Sequence, residues 1–199
     1  MAYFSVQTLR EDIVQPRCWA LGEIAGRLVE VSSSSAGASL TLAFGLVLEA
    51  QRRGEIVGWV TTVESFFYPP DAALGGVDLS SVVVVRVPDG ESIARAGEKL
   101  LRSGSFGLVV LDLGPAAVPV PLQSRMAGLA HRHRAALLCL TDKSDQTFSL
   151  SSLVSLRAHA ERRRADNGLF RSCLRILKDK RRGPTWSHAE ECHGPAGLC

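Results

Sequence analysis

The stretch "RLVEVSSSSAGASLTLAFGLVLEAQRRGEIVGWVTT", Arg27 to Thr62, constrains the fold more than any other part of the chain. "RLVEV" is short, apolar and β-branched, which reads as a strand. "ASLTLAFGLVLEAQRRG" carries apolar residues at near-helical spacing and stops at Gly54, which reads as a helix. "IVGWVTT" is a second strand. Two strands joined through a helix run parallel, because the helix carries the chain back to the starting end of the sheet. The small-residue run "SSSSAG" resembles a linker in composition. Its place between strand and helix makes it a loop of the core.

The alternation continues downstream. "SSVVVVRVP", "FGLVVLDL" and "AALLCLTDK" read as strands, and "GESIARAGEKLLRSG" and "PLQSRMAGLAHRHR" as the helices between them. The unbroken valines of the first predict burial on both faces. After Asp142 the pattern changes. "LVSLRAHAERRR", "LFRSCLRILKDKR" and "TWSHAEECH" are strand-like, with turns and no helix between them, and predict an antiparallel extension of the same sheet. The expected fold class is therefore α/β: a mostly parallel twisted sheet flanked by helices, with an antiparallel C-terminal extension. Residues 1–20 are expected to form an N-terminal arm and residues 21–199 one core domain.

Composition narrows the function classes. The chain is 46% hydrophobic and 22% charged, ordinary for a globular protein, and 199 residues suffice for a full core. The net charge of +3 permits an acidic partner such as DNA without demanding one. No apolar run approaches the roughly 20 residues a membrane helix needs. The opening "MAYFSVQTLREDIV" has acidic residues early and no long apolar segment, unlike a secretion signal. Five cysteines (Cys18, Cys139, Cys173, Cys192 and Cys199) form no CxxC pair, which suits buried thiols in a reducing cytoplasm. His188, Cys192, His193 and Cys199 are spaced H-x3-C-H-x5-C, unlike the usual zinc spacings, and His131 and His133 point to different sides of a helix. No metal is expected. Trp19, Trp59 and Trp186 are expected to pack in the core or the arm.

The loop after the first strand fits the frame G-x-x-x-x-G-K-[ST] from Ser32 to Ser39. In that frame backbone N–H groups wrap a phosphate, the lysine meets the β and γ oxygens, and the hydroxyl holds Mg²⁺. Gly37 and Ser39 match. Ser32 stands for the first glycine, and Ala38 stands for the lysine. A charge-assisted contact contributes about 1.5–3 kcal/mol, so its loss weakens phosphate binding several-fold to a few hundredfold. The start of the following helix still offers backbone amides for weak anion binding.

The ordered series "LVEVSSSSAGASLTLAFGLVLEAQRRG", "VTTVES", "LGGVDLSSVVVVRVPDGESIARAGEKLLRSGSFGLVVLDL", "LVSLRAHAERRR" and "CLRILKDKRRGP" resembles the ATPase core of the RecA recombinase family over nearly all of residues 20–198. The resemblance implies a core without that family's long N-terminal helical module or C-terminal domain. It implies that Glu64 stands at the water-activating glutamate and Asp112 at the metal-associated aspartate. It places the two DNA-binding loops at "LGPAAVPVP" and "SDQTFSLSS". The first is apolar and stiffened by prolines. The second has one aromatic, Phe148, and no arginine, so neither supplies a cationic groove with interleaved aromatics. It also matches Lys178 and Lys180 to lysines that reach the nucleotide of an adjacent protomer. Read as alternate residues of a strand, both should face one side.

Basic residues concentrate late: Arg162, Arg163, Arg164, Arg171, Arg175, Lys178, Lys180, Arg181 and Arg182. They have two readings, a solvated sheet edge or a contact surface for protein or DNA. Among RecA-like proteins, a compact core with a spoiled phosphate loop looks most like the ImuA family. That likeness implies an accessory role in SOS-induced mutagenic translesion synthesis at the nucleoid. The implied partners are an ImuB-like protein, an error-prone DnaE-type polymerase and RecA, with the arm and the tail "HGPAGLC" as docking segments. The expectation is a pseudo-ATPase with no catalytic residues and no cofactor. Two other readings stay open. One is a divergent DNA-dependent ATPase using ATP and Mg²⁺ through Gly37, Ser39, Glu64 and Asp112. The other is a regulator that meets DNA directly through its basic face.

Overall fold

The computed structural model describes residues 19–34, 38–65, 69–164, 169–184 and 186–193. In chain order the elements are α1 (Leu21–Ile24), β1 (Leu28–Ser33), α2 (Ser39–Arg52), β2 (Ile56–Thr62), α3 (Pro69–Leu74), β3 (Val82–Val87), α4 (Gly90–Ser103), β4 (Phe106–Gly114), α5 (Val120–His133), β5 (Ala136–Asp142), β6 (Leu156–Arg164), β7 (Leu169–Asp179) and β8 (Ser187–His193). The strands join in one sheet in the order β3-β2-β4-β5-β1-β6-β7-β8. From β3 to β6 every neighbouring pair is parallel. The β6–β7 and β7–β8 pairs are antiparallel. The expected α/β sheet with its antiparallel extension is the observed one. The short α1 and α3 and a 3-10 turn at Leu79–Ser81 lie outside the expected pattern; they are too short for periodicity to reveal.

The helices cover both faces. On one face Ile24 of α1 and Leu42, Leu46 and Val47 of α2 pack on Val29, Val31, Trp59 and Leu138. Phe44 stacks on Trp59, with ring centroids 5.0 Å apart and an interplanar angle of 15°. Trp19 joins this layer, and its indole N–H donates to Leu42 O at 3.3 Å. On the other face Ile93 and Leu101 of α4 and Met126 of α5 pack on Val109, Leu111 and Leu137. α4 begins where Asp89 accepts the Ser92 N–H (2.8 Å) and ends at Gly104, whose φ of +73° suits a left-handed cap. A Cβ on Gly97 would come within 2.5 Å of Leu111 Cδ2, so glycine lets α4 lie this close to β4.

β3 departs from expectation. Its valines do not lie in a doubly covered strand. Val83 is 43% exposed and Val84 37%. β3 ends the sheet, so β2 is its one strand neighbour, and the helices reach only Val82, Val85 and Val87. Valine content reports strand propensity; the number of neighbours is set by topology.

One buried ion pair joins the parallel and antiparallel halves. Arg27, entering β1, meets Asp179 at the end of β7 at 2.6 Å, with side chains 3% and 1% exposed. Arg27 also donates to Ser155 Oγ (2.9 Å), Ser155 O (3.0 Å) and Glu23 O (3.2 Å). Asp179 also accepts from Arg181 N (2.9 Å) and Trp186 Nε1 (3.1 Å). Burial pushes the Asp179 carboxyl up, but the Arg181 N–H, the Arg27 guanidinium and the Trp186 indole together hold it below the ordinary carboxylate value. A carboxylate held low stabilises the fold above the unfolded-state value of about 4. That contribution is lost as pH falls below it.

Two outcomes follow. Asp179→Asn leaves the Arg27 charge buried without its counter-ion and costs about 3–5 kcal/mol in urea unfolding at pH 7. The double change R27M/D179L recovers most of that loss. Between pH 5 and about 2 the wild-type urea midpoint falls more than that of D179N, which lacks this one carboxylate. Separately, Val84→Thr on the exposed edge changes stability by no more than about 0.5 kcal/mol, whereas Leu138→Ala in the central layer costs about 2–5 kcal/mol.

Candidate functional site

Parallel strands of an open α/β sheet leave their carboxyl ends as the usual crevice for ligands. The residues singled out in the sequence gather at that end of β1, β2, β4 and β5. β1 closes at Ser33 and α2 opens at Ser39, with Ala38 as its N-cap. Gly37 lies outside the described residues. Ala38 is fully buried within the apolar layer under α2, and no side chain caps the helix. At the position where the motif needs a cation, the chain places a methyl group in the core.

Ser32 does not face the loop. Its hydroxyl donates to Ala158 O at 3.3 Å and meets His159 Nδ1 at 3.1 Å, both on β6, and it is fully buried. The next residue, Ser33, faces the other way and sits 2.9 Å from Ser39 Oγ. The hydroxyl pair at the loop is thus Ser33 and Ser39.

Asp112 lies near the end of β4. Its Oδ2 accepts from Thr61 Oγ1 (2.9 Å) and Ser65 Oγ (2.6 Å). Thr61 is buried in β2, and Ser65 closes the turn that carries Glu64. Glu64 itself is exposed. The pairing of β2 with β4 therefore brings Glu64 and Asp112 to one end of the sheet.

A second polar cluster lies beside this end. Glu30, fully buried in β1, takes Lys143 Nζ on Oε1 at 2.5 Å, Thr141 Oγ1 on Oε1 at 3.2 Å and Leu150 N on Oε2 at 2.9 Å. Sequence reading passed over this cluster. The signal was the charged residue inside "LVEV", since a carboxylate in a doubly covered strand needs a cation. Burial, reinforced by the Glu30 charge and partly offset by Lys143, pushes the neighbouring Cys139 thiol far up, leaving it protonated and inert.

Most of the late basic residues are engaged within the chain. Arg163 pairs with Glu161 (2.7 Å), Arg171 with Glu191 (2.7 Å), Arg175 with Asp145, and Arg182 with Glu23 (2.7 Å). Arg162 bonds Thr41 Oγ1 at 3.1 Å and lies 5.8 Å over the Phe170 ring. Arg181 reaches Glu23 O at 3.4 Å. Arg164 and Lys180 are exposed. The two lysines do not occupy alternate positions of one strand, because β7 ends at Asp179 and Lys180 begins the turn. Lys178 is half-buried and donates to Ser152 O at 3.3 Å. Burial first, and then Lys180 beside it, lowers its pKa.

His131 and His133 are exposed at the end of α5. His188 Nε2 lies 3.6 Å from Glu190. Cys18, Cys199, the tail 194–199 and residues 1–18 of the arm fall outside the described residues, as do the side chains of Cys192 and His193. Among the described residues, no three His, Cys, Asp or Glu side chains converge to hold a metal, and no helix is long and apolar enough to cross a membrane.

Comparison with known proteins agrees with this architecture. The model of the RecA N-terminal domain matches residues 18–139, more than half of the chain. RecA of Thermus thermophilus is 32% identical over 125 residues, covering 57% of this chain and 36% of that protein. RecA of Chlorobaculum parvum is 36% identical over 94 residues, covering 47% and 27%. RecA of Bifidobacterium breve is 32% identical over 94 residues, covering 47% and 24%. The chain thus spans about a quarter to a third of the relatives it matches. The strand order, the polar residues at the carboxyl ends and the matched segment lead to one statement: the chain belongs to the RecA N-terminal domain family.

Proposed function

We propose that this chain is a non-catalytic RecA-like accessory protein of SOS-induced mutagenic translesion DNA synthesis, of the ImuA type. It acts through contacts with an ImuB-type polymerase-like protein, an error-prone DnaE-type polymerase and RecA, and modulates the RecA filament at the nucleoid. The observation that carries the reading is Ala38, a buried methyl group at the entry of α2 where a triphosphate needs a cation. Ser39 and Asp112 retain oxygens suited to Mg²⁺, but their hydroxyl partners are Ser33, Thr61 and Ser65, and none of these brings positive charge. The residues present therefore do not fit a bound nucleoside triphosphate, and no hydrolytic step is assigned to Glu64. Two further observations support a protein-binding role over direct DNA binding. Arg163, Arg171, Arg175 and Arg182 already have carboxylate partners, and the loop 144–152 has no arginine. A chain that held DNA through phosphates would need free cations there.

The competing reading, a divergent DNA-dependent ATPase, draws on Asp112 and Ser39. Equilibrium binding of a fluorescent ATP analogue with Mg²⁺ separates the two. The accessory reading expects affinity no better than about millimolar, no phosphate release with or without single-stranded DNA, and no change on Glu64→Gln. Micromolar affinity with Mg²⁺-dependent turnover that E64Q abolishes would establish the enzyme instead. In a second assay, purified protein is titrated into RecA assembled on single-stranded DNA. The expected outcome is a change in filament stability or strand exchange at near-stoichiometric ratios; no effect at several-fold excess removes RecA from the set of partners.

A further inference from the structure

The interior beneath the β5–β6 loop gathers more positive charge than it pairs. Glu30 brings a carboxylate from β1, and Lys143 takes its Oε1 at 2.5 Å. Arg157 on β6 stands across from Lys178 on β7, and Lys180 follows two residues later. Arg157 is 6% exposed. Its Nη2 donates to Ser144 O at 3.2 Å, and its buried Nε has no hydrogen-bond partner among the described residues. Lys178 Nζ donates to Ser152 O at 3.3 Å, a neutral acceptor. Asp179, between the two lysines in the chain, is taken by Arg27, and Asp145 in the loop by Arg175. Lys178, Lys180 and Arg157 thus share a neighbourhood whose facing carboxylate, Glu30, is already bound to a fourth cation.

An ammonium so placed is pressed toward its neutral form. Its half-buried position strips water from the charge, and Lys180 repels it; Glu30 opposes these in part, and Arg157 adds to them. The neutral amine is the nucleophile, and lysines that are desolvated or stand beside another cation are activated in this way. The bond to Ser152 O survives loss of one proton, because a neutral amine keeps two N–H donors. It aims a hydrogen at the loop and leaves the lone pair for other use. The other lysines lack this combination. Lys143 spends hydrogens on Glu30 and on Phe148 O (2.9 Å), and its side chain is 17% exposed. Lys99 on α4 and Lys180 stand in water.

The same cations select the reagent. An acyl donor with a phosphate leaving group is drawn to Lys180, which lies exposed beside the amine and can hold the phosphate while the acyl carbon meets Nζ. We propose that Lys178 is a modification site, acylated directly at Nζ by a small acyl phosphate. The nitrogen lone pair bonds to the carbonyl carbon, and the bond from that carbon to the phosphate oxygen breaks. Inorganic phosphate leaves with the electron pair, and the surplus proton on nitrogen passes to phosphate or water. The product is a neutral amide that ends the repulsion against Lys180 and Arg157 and removes one charge from the late basic run.

The test incubates the full chain with acetyl phosphate near neutral pH and follows Lys99, Lys143, Lys178 and Lys180 by peptide mass spectrometry. Lys178 is expected to acylate about fivefold faster than Lys99 or Lys180, or more. Lys180→Gln, a change at an exposed side chain, is expected to slow Lys178 about threefold or more, because it removes both the repulsion and the phosphate contact. In concentrated urea the four rates converge to within about twofold, since the cluster exists only in the folded chain. With an uncharged acyl ester Lys178 stays ahead of Lys99 by a smaller margin. Four results overturn the proposal: Lys178 no faster than Lys99 in the folded protein, no change at Lys178 in K180Q, a preference that persists in urea, or a margin as large with the uncharged ester, which removes the acyl phosphate as its donor.

Discussion

Everything beyond the parallel half of the sheet depends on the Arg27–Asp179 pair. β6 joins β1 side by side, but β7 runs back antiparallel to β6, and β8 antiparallel to β7. The guanidinium ties the entry of β1 to the end of β7, and Asp179 in turn gathers the turn after β7 and the indole of Trp186. The same turn sends Arg181 and Arg182 back to Glu23 in α1. A buried pair of this kind is weak evidence for net stability, because desolvation offsets attraction. Its clear effect is specificity: with both charges buried, any other register of β7 leaves one of them alone.

The second constraint lies in β1. A strand covered on both faces tolerates a carboxylate only with a cation, and Glu30 recruits Lys143 from the end of β5. That requirement fixes where the β5–β6 loop begins and gives it one of its interior supports. The polar interior on this face therefore organises the loop above it. On the opposite face, α2 rests on an apolar layer that includes Ala38. The two ends of β1 thus serve different chemistry on their two faces.

The order of strands and helices was legible because period and turn residues are local properties, and β1, α2, β2, α4, β4, α5, β5 and the last three strands fall where the patterns put them. The parallel-to-antiparallel change after Asp142 was legible for the same reason, in the absence of a helix between runs. Coverage was not legible in β3, because four valines look alike at the centre and at the rim of a sheet. Facing was not legible at Ser32 and Ser33, where a shift of one residue exchanges the core side for the loop side. The basic run after Arg162 is plain in the sequence, yet its engagement is not. Arg171 finds Glu191 and Arg182 finds Glu23 through pairings between distant parts of the chain. The replacement of the loop lysine by Ala38 needs only the spacing of the motif, and the structure adds that the methyl group is enclosed.

Cys139 sits at the centre of the sheet, sealed between β1 and β4, where burial above all, and then the Glu30 carboxylate, keeps its sulfur protonated. Alkylating or oxidising reagents reach that sulfur only when the strands around it separate. The pace at which a small maleimide labels it is therefore a clock for opening of the whole domain, one whose reporting thiol is native to the chain.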